Sequence, residues 1–179
     1  IKVACSKEAG NWAYGKKHFI VVNNAIDYEK FSFCADNRYN TRKRLGISDD
    51  KYLILQVGSF GYEKNQEFTV DIFKTLYRLN SNIRLIFCGS GRDEKKIQNI
   101  VQKEHLDHVV FFYGTTNHVE YLYHASDLLL QPSLFEGLPL TVLEAQVSDL
   151  PCFVSDSITK ECAISDHIKF INLQKKEEW

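Results

Sequence analysis

Two rhythms of apolar residues alternate along this chain. Short unbroken apolar runs are each followed by a stretch in which apolar residues recur at intervals of three and four. Tyr52-Leu53-Ile54-Leu55-Gln56-Val57 is a run of strand length that stops at Gly58. Behind it, Phe68, Ile72, Phe73, Leu76 and Leu79 keep helical spacing, and Asn80-Ser81-Asn82 closes that helix. The pair then repeats. Arg84 to Cys88 predicts a strand, Gly89-Ser90-Gly91 a loop, and Ile97, Ile100 and Val101 the inner face of a helix. Val109 to Phe112 predicts a third strand, Val119, Tyr121 and Leu122 a short helix, and Leu128 to Gln131 a fourth strand ended by Pro132. Leu140, Val142, Leu143 and Val147 mark another helix, before strands at Cys152 to Val154 and Ile168 to Ile171. Upstream the pattern is weaker. Val3 to Ser6 reads as a strand end, Glu8 to Trp12 as a helix start, and Phe19 to Val22 as a short strand before the Asn23-Asn24 turn. Residues 28 to 47 are polar and basic, and with Phe31, Phe33 and Leu45 as anchors they predict a short helix beside the core.

Strands alternating with helices specify an α/β protein with a Rossmann-like, doubly wound parallel sheet of about six strands and right-handed crossovers. Such sheets bind ligands at the carboxyl ends of their strands. Gly58, Gly89, Gly114 and Glu136 all follow strands, so they are expected to share one rim.

Composition narrows the picture. The 179 residues are 44% hydrophobic and 25% charged, enough to bury one core without metals or disulfides. A net charge of −1 carries no nucleic-acid footprint. The short basic cluster Arg42-Lys43-Arg44 reads as a solvated helix face, with at most a weak attraction to anionic lipid heads. Five scattered cysteines without a Cys-x-x-Cys pair fit a reducing compartment, and Cys34, Cys88 and Cys152 fall in or near apolar runs as small buried hydrophobes. No run approaches the length of a membrane span and no signal-like start is visible. The six histidines form no His-x-x-x-His pair or acid cluster, so no metal site is expected.

Candidate chemistry gathers between Phe135 and Glu144. Glu136 lies in the loop after the fourth strand, Gly137 permits close approach, and a helix opens just beyond, whose first N–H groups and dipole suit a phosphate. Glu136 is placed to accept hydrogen bonds from a hydroxyl-rich group, and Glu144 from a ribose diol. The alternative for this stretch is a capped helix with its acids in water. Lys64, after the first strong strand, can reach a diphosphate held at the helix terminus. Gly89-Ser90-Gly91 lacks the third glycine and downstream acid of a dinucleotide fingerprint.

Glu136-x7-Glu144 resembles the signature of the family-4 retaining glycosyltransferases of GT-B fold. The likeness runs on through Val22 to Asp27, Val57-Gly58-Ser59-Phe60 with Lys64-Asn65, Phe87 to Gly91, Phe112-Tyr113-Gly114, Ala125-Ser126-Asp127 and Pro132 to Gly137. Its nearest flavour is bacterial capsular or exopolysaccharide synthesis. The resemblance implies that residues 1–22 end a preceding domain and its linker, and that 23–179 form a nucleotide-sugar donor-binding domain, the C-terminal half of the fold. It implies Glu136 and Lys64 as catalytic groups, and Gly58, Ser59, Gly89, Ser90, Thr115, Gly137, Leu138, Leu140, Thr141 and Glu144 as nucleotide contacts. It implies retention of configuration, a nucleotide-diphosphate sugar as substrate with no cofactor or metal, and a sugar or lipid-linked acceptor bound by the missing domain. It also implies a cytoplasmic setting with peripheral association at the inner membrane face for the full-length protein. Where the family usually has arginine this chain has Ser59, so the resemblance implies that neutralisation of the diphosphate there is either weaker or supplied from elsewhere, with Arg92 the candidate. Two other readings stay open: a nucleotide-sugar epimerase of the same fold, and a noncatalytic nucleotide-binding module.

Overall fold

A computed structural model describes all residues 1–179. The chain opens with a small unit in which β1 (Val3–Ala4) and β2 (Ile20–Val21) pair in parallel around α1 (Lys7–Tyr14). Ser6 caps α1 by accepting from Ala9 N–H at 3.0 Å. Helices α2 (Tyr28–Phe31) and α3 (Ala35–Leu45) follow. The regular alternation then runs through β3 (Tyr52–Val57), α4 (Gln66–Leu79), β4 (Ile83–Cys88), α5 (Glu94–Lys103), β5 (Val110–Gly114), α6 (Glu120–Ala125), β6 (Leu128–Gln131), α7 (Leu140–Val147), β7 (Cys152–Ser155) and β8 (Ile168–Ile171). The expected six strands are present, all parallel, in the order β5-β4-β3-β6-β7-β8. Sequence and space part company between β3 and β6, where the order reverses. At such a point the connections leave the sheet on opposite sides and a crevice opens at the strand ends.

Successive residues of a strand face opposite layers, which explains why these strands read as unbroken apolar runs. On β3, Leu53, Leu55 and Val57 pack in a cluster with Phe31, Leu122, Tyr123, Val142 and Leu143, drawn from α2, α6 and α7. Ile54 faces the other cluster, which includes Val70 and Phe73 of α4 and Ile97 and Val101 of α5. Leu53, Leu55, Leu85 and Ile86 are fully buried, and each contributes roughly 1.5–3 kcal/mol by leaving water.

Four expectations need correction. Leu79 is not on the inner face of α4: it is the helix's last residue, 81% exposed, beyond the turn that reaches the sheet. Residues 28–47 form two helices rather than one. Cys34 is only partly buried, because it occupies the N-cap position of α3, whereas Cys162 joins Cys88 and Cys152 in the core. Burial pushes these three thiols up to about 11, 11 and 12 for Cys88, Cys162 and Cys152, so all three are inert apolar fillers. Arg42 is not solvated at all. It is 1% exposed, and it donates to Ala125 O at 2.9 Å, Ser48 O at 2.8 Å and the carboxylate of Asp127 at 3.3 Å. Lys43 and Arg44 do face water, as expected.

Candidate active site at the sheet reversal

The glycines that end the strands build the rim. Gly58 N donates to Cys88 O at 2.9 Å and Gly89 N to Gly114 O at 2.8 Å, knitting the ends of β3, β4 and β5 together. Gly89 has φ 145°, and a Cβ there would lie 2.0 Å from Gly58 O. Only glycine fits so close a pair of backbones. Gly58 has φ 149°, and the aliphatic arm of Lys64 lies across it, since a Cβ at Gly58 would meet Lys64 Cε at 2.9 Å. Ser59, Ser90 and Thr115 are exposed on the loops that follow these strands.

Lys64 ends a 3-10 turn, Tyr62–Lys64, between β3 and α4. Three contacts fix that turn. Gln56, a buried polar residue of β3, donates to Lys64 O at 2.7 Å; Asn65 donates to Pro132 O at 3.1 Å; and Leu134 N donates to Glu63 O at 2.8 Å. The loop after β3 is thereby tied to the loop after β6, and the side chains meet. Lys64 Nζ donates to Glu136 Oε2 at 2.8 Å, with 14% and 11% of the two side chains exposed. Glu136 Oε1 accepts from Gln131 Nε2 at 2.7 Å and Ser133 Oγ at 2.6 Å. A charged pair thus spans the reversal between β3 and β6.

Glu144 stands apart from that pair. It sits on α7, whose N-cap position is Pro139 and whose first turn has no side-chain cap, so its leading N–H groups are open to a ligand. Within that turn, Thr141 Oγ1 is buried without a hydrogen-bond partner. Leu140 is 40% exposed, Gly137 is exposed, and Leu138 packs against the core. The Glu144 carboxylate is half-buried and accepts from Tyr123 Oη at 2.8 Å. Burial raises its pKa, and the Tyr123 hydrogen bond opposes the rise. Arg92 does not join the rim pair. Its side chain is 75% exposed, and its recorded ionic partner is the adjacent Asp93 at 3.8 Å.

The amino-terminal unit leans on the same loop. Ser6 Oγ donates to Gly137 O at 3.0 Å, and a cleft of about 640 Å³ between them is lined by Val3, Trp12, Tyr14, Phe135, Glu136 and Gly137. The structure contains no group of three histidine, cysteine or acidic side chains placed to hold a metal ion.

Sequence reasoning singled out Lys64, Glu136 and Glu144 as candidates but not Gln131, Ser133 and Tyr123, which hydrogen-bond to the two acids. A polar residue closing an apolar run, and a hydroxyl three positions before Glu136, were the available signals for the first two. Nothing in the sequence distinguishes Tyr123 from an ordinary core aromatic.

A doubly wound parallel sheet with glycine-rich strand ends and a charged pair at its reversal is one half of the GT-B architecture. Residues 37–177 match the family described as "Glycosyl transferases group 1", and the chain belongs to that family. The putative glycosyltransferase EpsF of Bacillus subtilis (strain 168) is 31% identical over 163 residues, covering 88% of this chain and 42% of that protein. The UDP-Gal:alpha-D-GlcNAc-diphosphoundecaprenol alpha-1,3-galactosyltransferase of Escherichia coli is 28% identical over 151 residues, covering 82% of this chain and 38% of that protein. Among solved structures, WaaG, a glycosyltransferase involved in lipopolysaccharide biosynthesis, superposes with a TM-score of 0.86 at 22% identity, over 98% of this chain and 51% of that one. Anabaena HepE in complex with UDP and glucose superposes with a TM-score of 0.83 at 15% identity, over 97% of this chain and 50% of that one. This chain spans about two fifths of the length of the curated relatives it matches.

Proposed function

We propose that residues 23–179 are the donor-binding half of a retaining glycosyltransferase, which moves a sugar from a nucleotide diphosphate to an acceptor in capsular or exopolysaccharide synthesis. The observation that carries this reading is the Lys64–Glu136 pair at 2.8 Å across the reversal of strand order, where doubly wound sheets take their ligands. In this reading the leaving diphosphate lies between the Lys64 ammonium and the open N–H groups of α7, with no metal ion. The helix N–H groups are fixed before the bond breaks and the ammonium has only to turn from Glu136, so together they stabilise the developing charge with little reorganisation. Glu136, held by Gln131 and Ser133, accepts from a sugar hydroxyl beside the anomeric carbon. Glu144 accepts from the ribose, and Gly89, Ser90 and Thr115 border the nucleoside.

Residues 1–22 belong, in this proposal, to a preceding domain that supplies the acceptor site. Its support is that β1 and β2 form a parallel pair by themselves with Val3, Ile20 and Val21 exposed, and an isolated two-stranded sheet is not stable alone. The name of the E. coli relative, a sugar carried on diphosphoundecaprenol, supports a lipid-linked acceptor and with it peripheral association at the inner membrane face. No helix is long and apolar enough to cross a membrane.

Calorimetric titration of this chain with UDP, GDP and ADP tests the reading. Saturable binding of one diphosphate, weaker for the matching nucleoside and lost in Lys64→Ala, is expected. No binding of any of the three overturns it.

A further inference from the structure

Tyr123 supplies the one side-chain hydrogen bond that the Glu144 carboxylate makes within the protein. Its ring is 1% exposed and packs tilted against Phe31, with centroids 6.0 Å apart. Its hydroxyl donates to Glu144 Oε2 at 2.8 Å. The core therefore fixes the donor, and the donor fixes one oxygen of the acid. A glutamate on an open helix face would otherwise sample many rotamers, and ordering it on ligand binding would lower affinity. We propose that Tyr123 is a positioning residue that holds the Glu144 carboxylate with Oε1 presented to the ribose diol of the donor nucleotide. This rests on the donor-site reading above.

Two further features agree. Burial and the neighbouring carboxylate hold the phenol well above its ordinary value, so Tyr123 stays a donor wherever the protein is folded. The groups that influence Glu144 come from two elements. From α2, Lys30 draws its carboxyl down; from α6, Tyr123 also lowers it and Glu120 raises it. Lys30 is itself engaged, lying 3.5 Å from Glu120 and donating to Asn117 O at 3.3 Å. That leaves the tyrosine hydroxyl as the contact that sets direction. Every ribonucleoside diphosphate carries the same ribose diol, so among ribonucleotides the inference does not depend on the base.

The test compares UDP with 2′,3′-dideoxy-UDP, or the guanosine pair if GDP is the ligand that binds, by calorimetry on this chain. Tyr123→Phe keeps the ring and its packing, and melting curves confirm the fold. Ribonucleotide affinity is expected to fall roughly three- to tenfold, the scale for having to order one rotamer-rich side chain on binding, while dideoxynucleotide affinity stays the same. Removing the hydroxyl also raises the Glu144 carboxyl further, so the loss of ribonucleotide affinity on acidification should begin at a higher pH than in the wild type. In a Glu144→Gln background Tyr123→Phe should have no further effect. Equal loss for both nucleotides would show that Tyr123 acts through packing alone and overturn the proposal, as would an unchanged ribonucleotide affinity in Tyr123→Phe when Glu144→Gln loses it. If Glu144→Gln itself leaves the ribose preference intact, the assignment of Glu144 falls and the role of Tyr123 with it. Diphosphate binding that still depends on Lys64 would then leave the donor-site reading standing.

Discussion

Strands β3 and β6 carry a cation–carboxylate pair at each end, and the two pairs are built in opposite ways. At the amino ends, Arg42 and Arg38 converge on Asp127, whose Oδ2 also accepts from Leu53 N at 2.7 Å. The Arg42 guanidinium is further satisfied by the carbonyls of Ser48, Lys51 and Ala125. Nearly every donor is committed to the protein. At the carboxyl ends, Lys64 has a single side-chain partner, Glu136, and its ammonium can rotate toward another anion without losing a network. A planar fork surrounded by carbonyls is a fastening; a flexible ammonium with one partner can be recruited by a ligand. The sheet thus separates a pair committed to holding it together from a pair left free to meet a ligand.

That contrast can be broken in order of effect. Arg42→Ala should destabilise the fold by about 3 kcal/mol, because it removes a buried guanidinium and its bonds to the carbonyls of Ser48, Lys51 and Ala125, while Arg38 and Leu53 N still hold Asp127. Denaturant melts would show this, and an unchanged midpoint would mean that the amino-end pair is not a fastening. Lys64→Ala should act chiefly on binding. It should cost nucleoside-diphosphate affinity about 2 kcal/mol with little effect on the nucleoside, and equal losses for diphosphate and nucleoside would remove the phosphate contact.

Glu144 sharpens the comparison through pH. Its carboxyl is raised above the ordinary 4.5 by burial, so the folded chain binds more protons than the unfolded chain between that value and the raised one. Stability therefore declines as pH rises through this window, and the loss is complete above it. Glu144→Gln should melt higher than wild type at pH 7 and closer to it at pH 4, while weakening nucleotide binding. A lower melting temperature at pH 7 would show that the acid serves the fold.

The smallest expected change is at Ser59, which is exposed and engages the fold through its carbonyl, accepting from Gln66 Nε2 at 2.9 Å. Ser59→Arg should raise diphosphate affinity on the order of 1 kcal/mol, and the gain should shrink as salt is added. Salt-independent affinity equal to wild type would mean that position 59 turns away from the ligand.

The strands and their glycine ends were legible because strands buried on both faces leave continuous apolar runs and close backbones demand glycine. Glu136 and Lys64 were legible from motif and order. The α2–α3 region was not, because α3 is held largely by a guanidinium reaching carbonyls, an interaction that leaves no hydrophobic period. Arg38 and Arg42 four apart, with an aspartate just before β6, were its only trace. Tyr123 was hidden for the opposite reason: its ring satisfies the apolar pattern completely, and the hydroxyl that matters adds nothing to it.

The two tryptophans occupy contrasting places. Trp179 is buried edge-on to Phe68, with its indole N–H donated to Asn172 O at 3.1 Å. Trp12 is 91% exposed on the cleft that borders Glu136 and Gly137. Their fluorescence should therefore separate by colour, the first emitting to the blue as a gauge of global unfolding and the second to the red as a local probe. Occupancy beside Gly137 would change the red component while leaving the blue one still, giving an optical signal for ligand entry that requires no label.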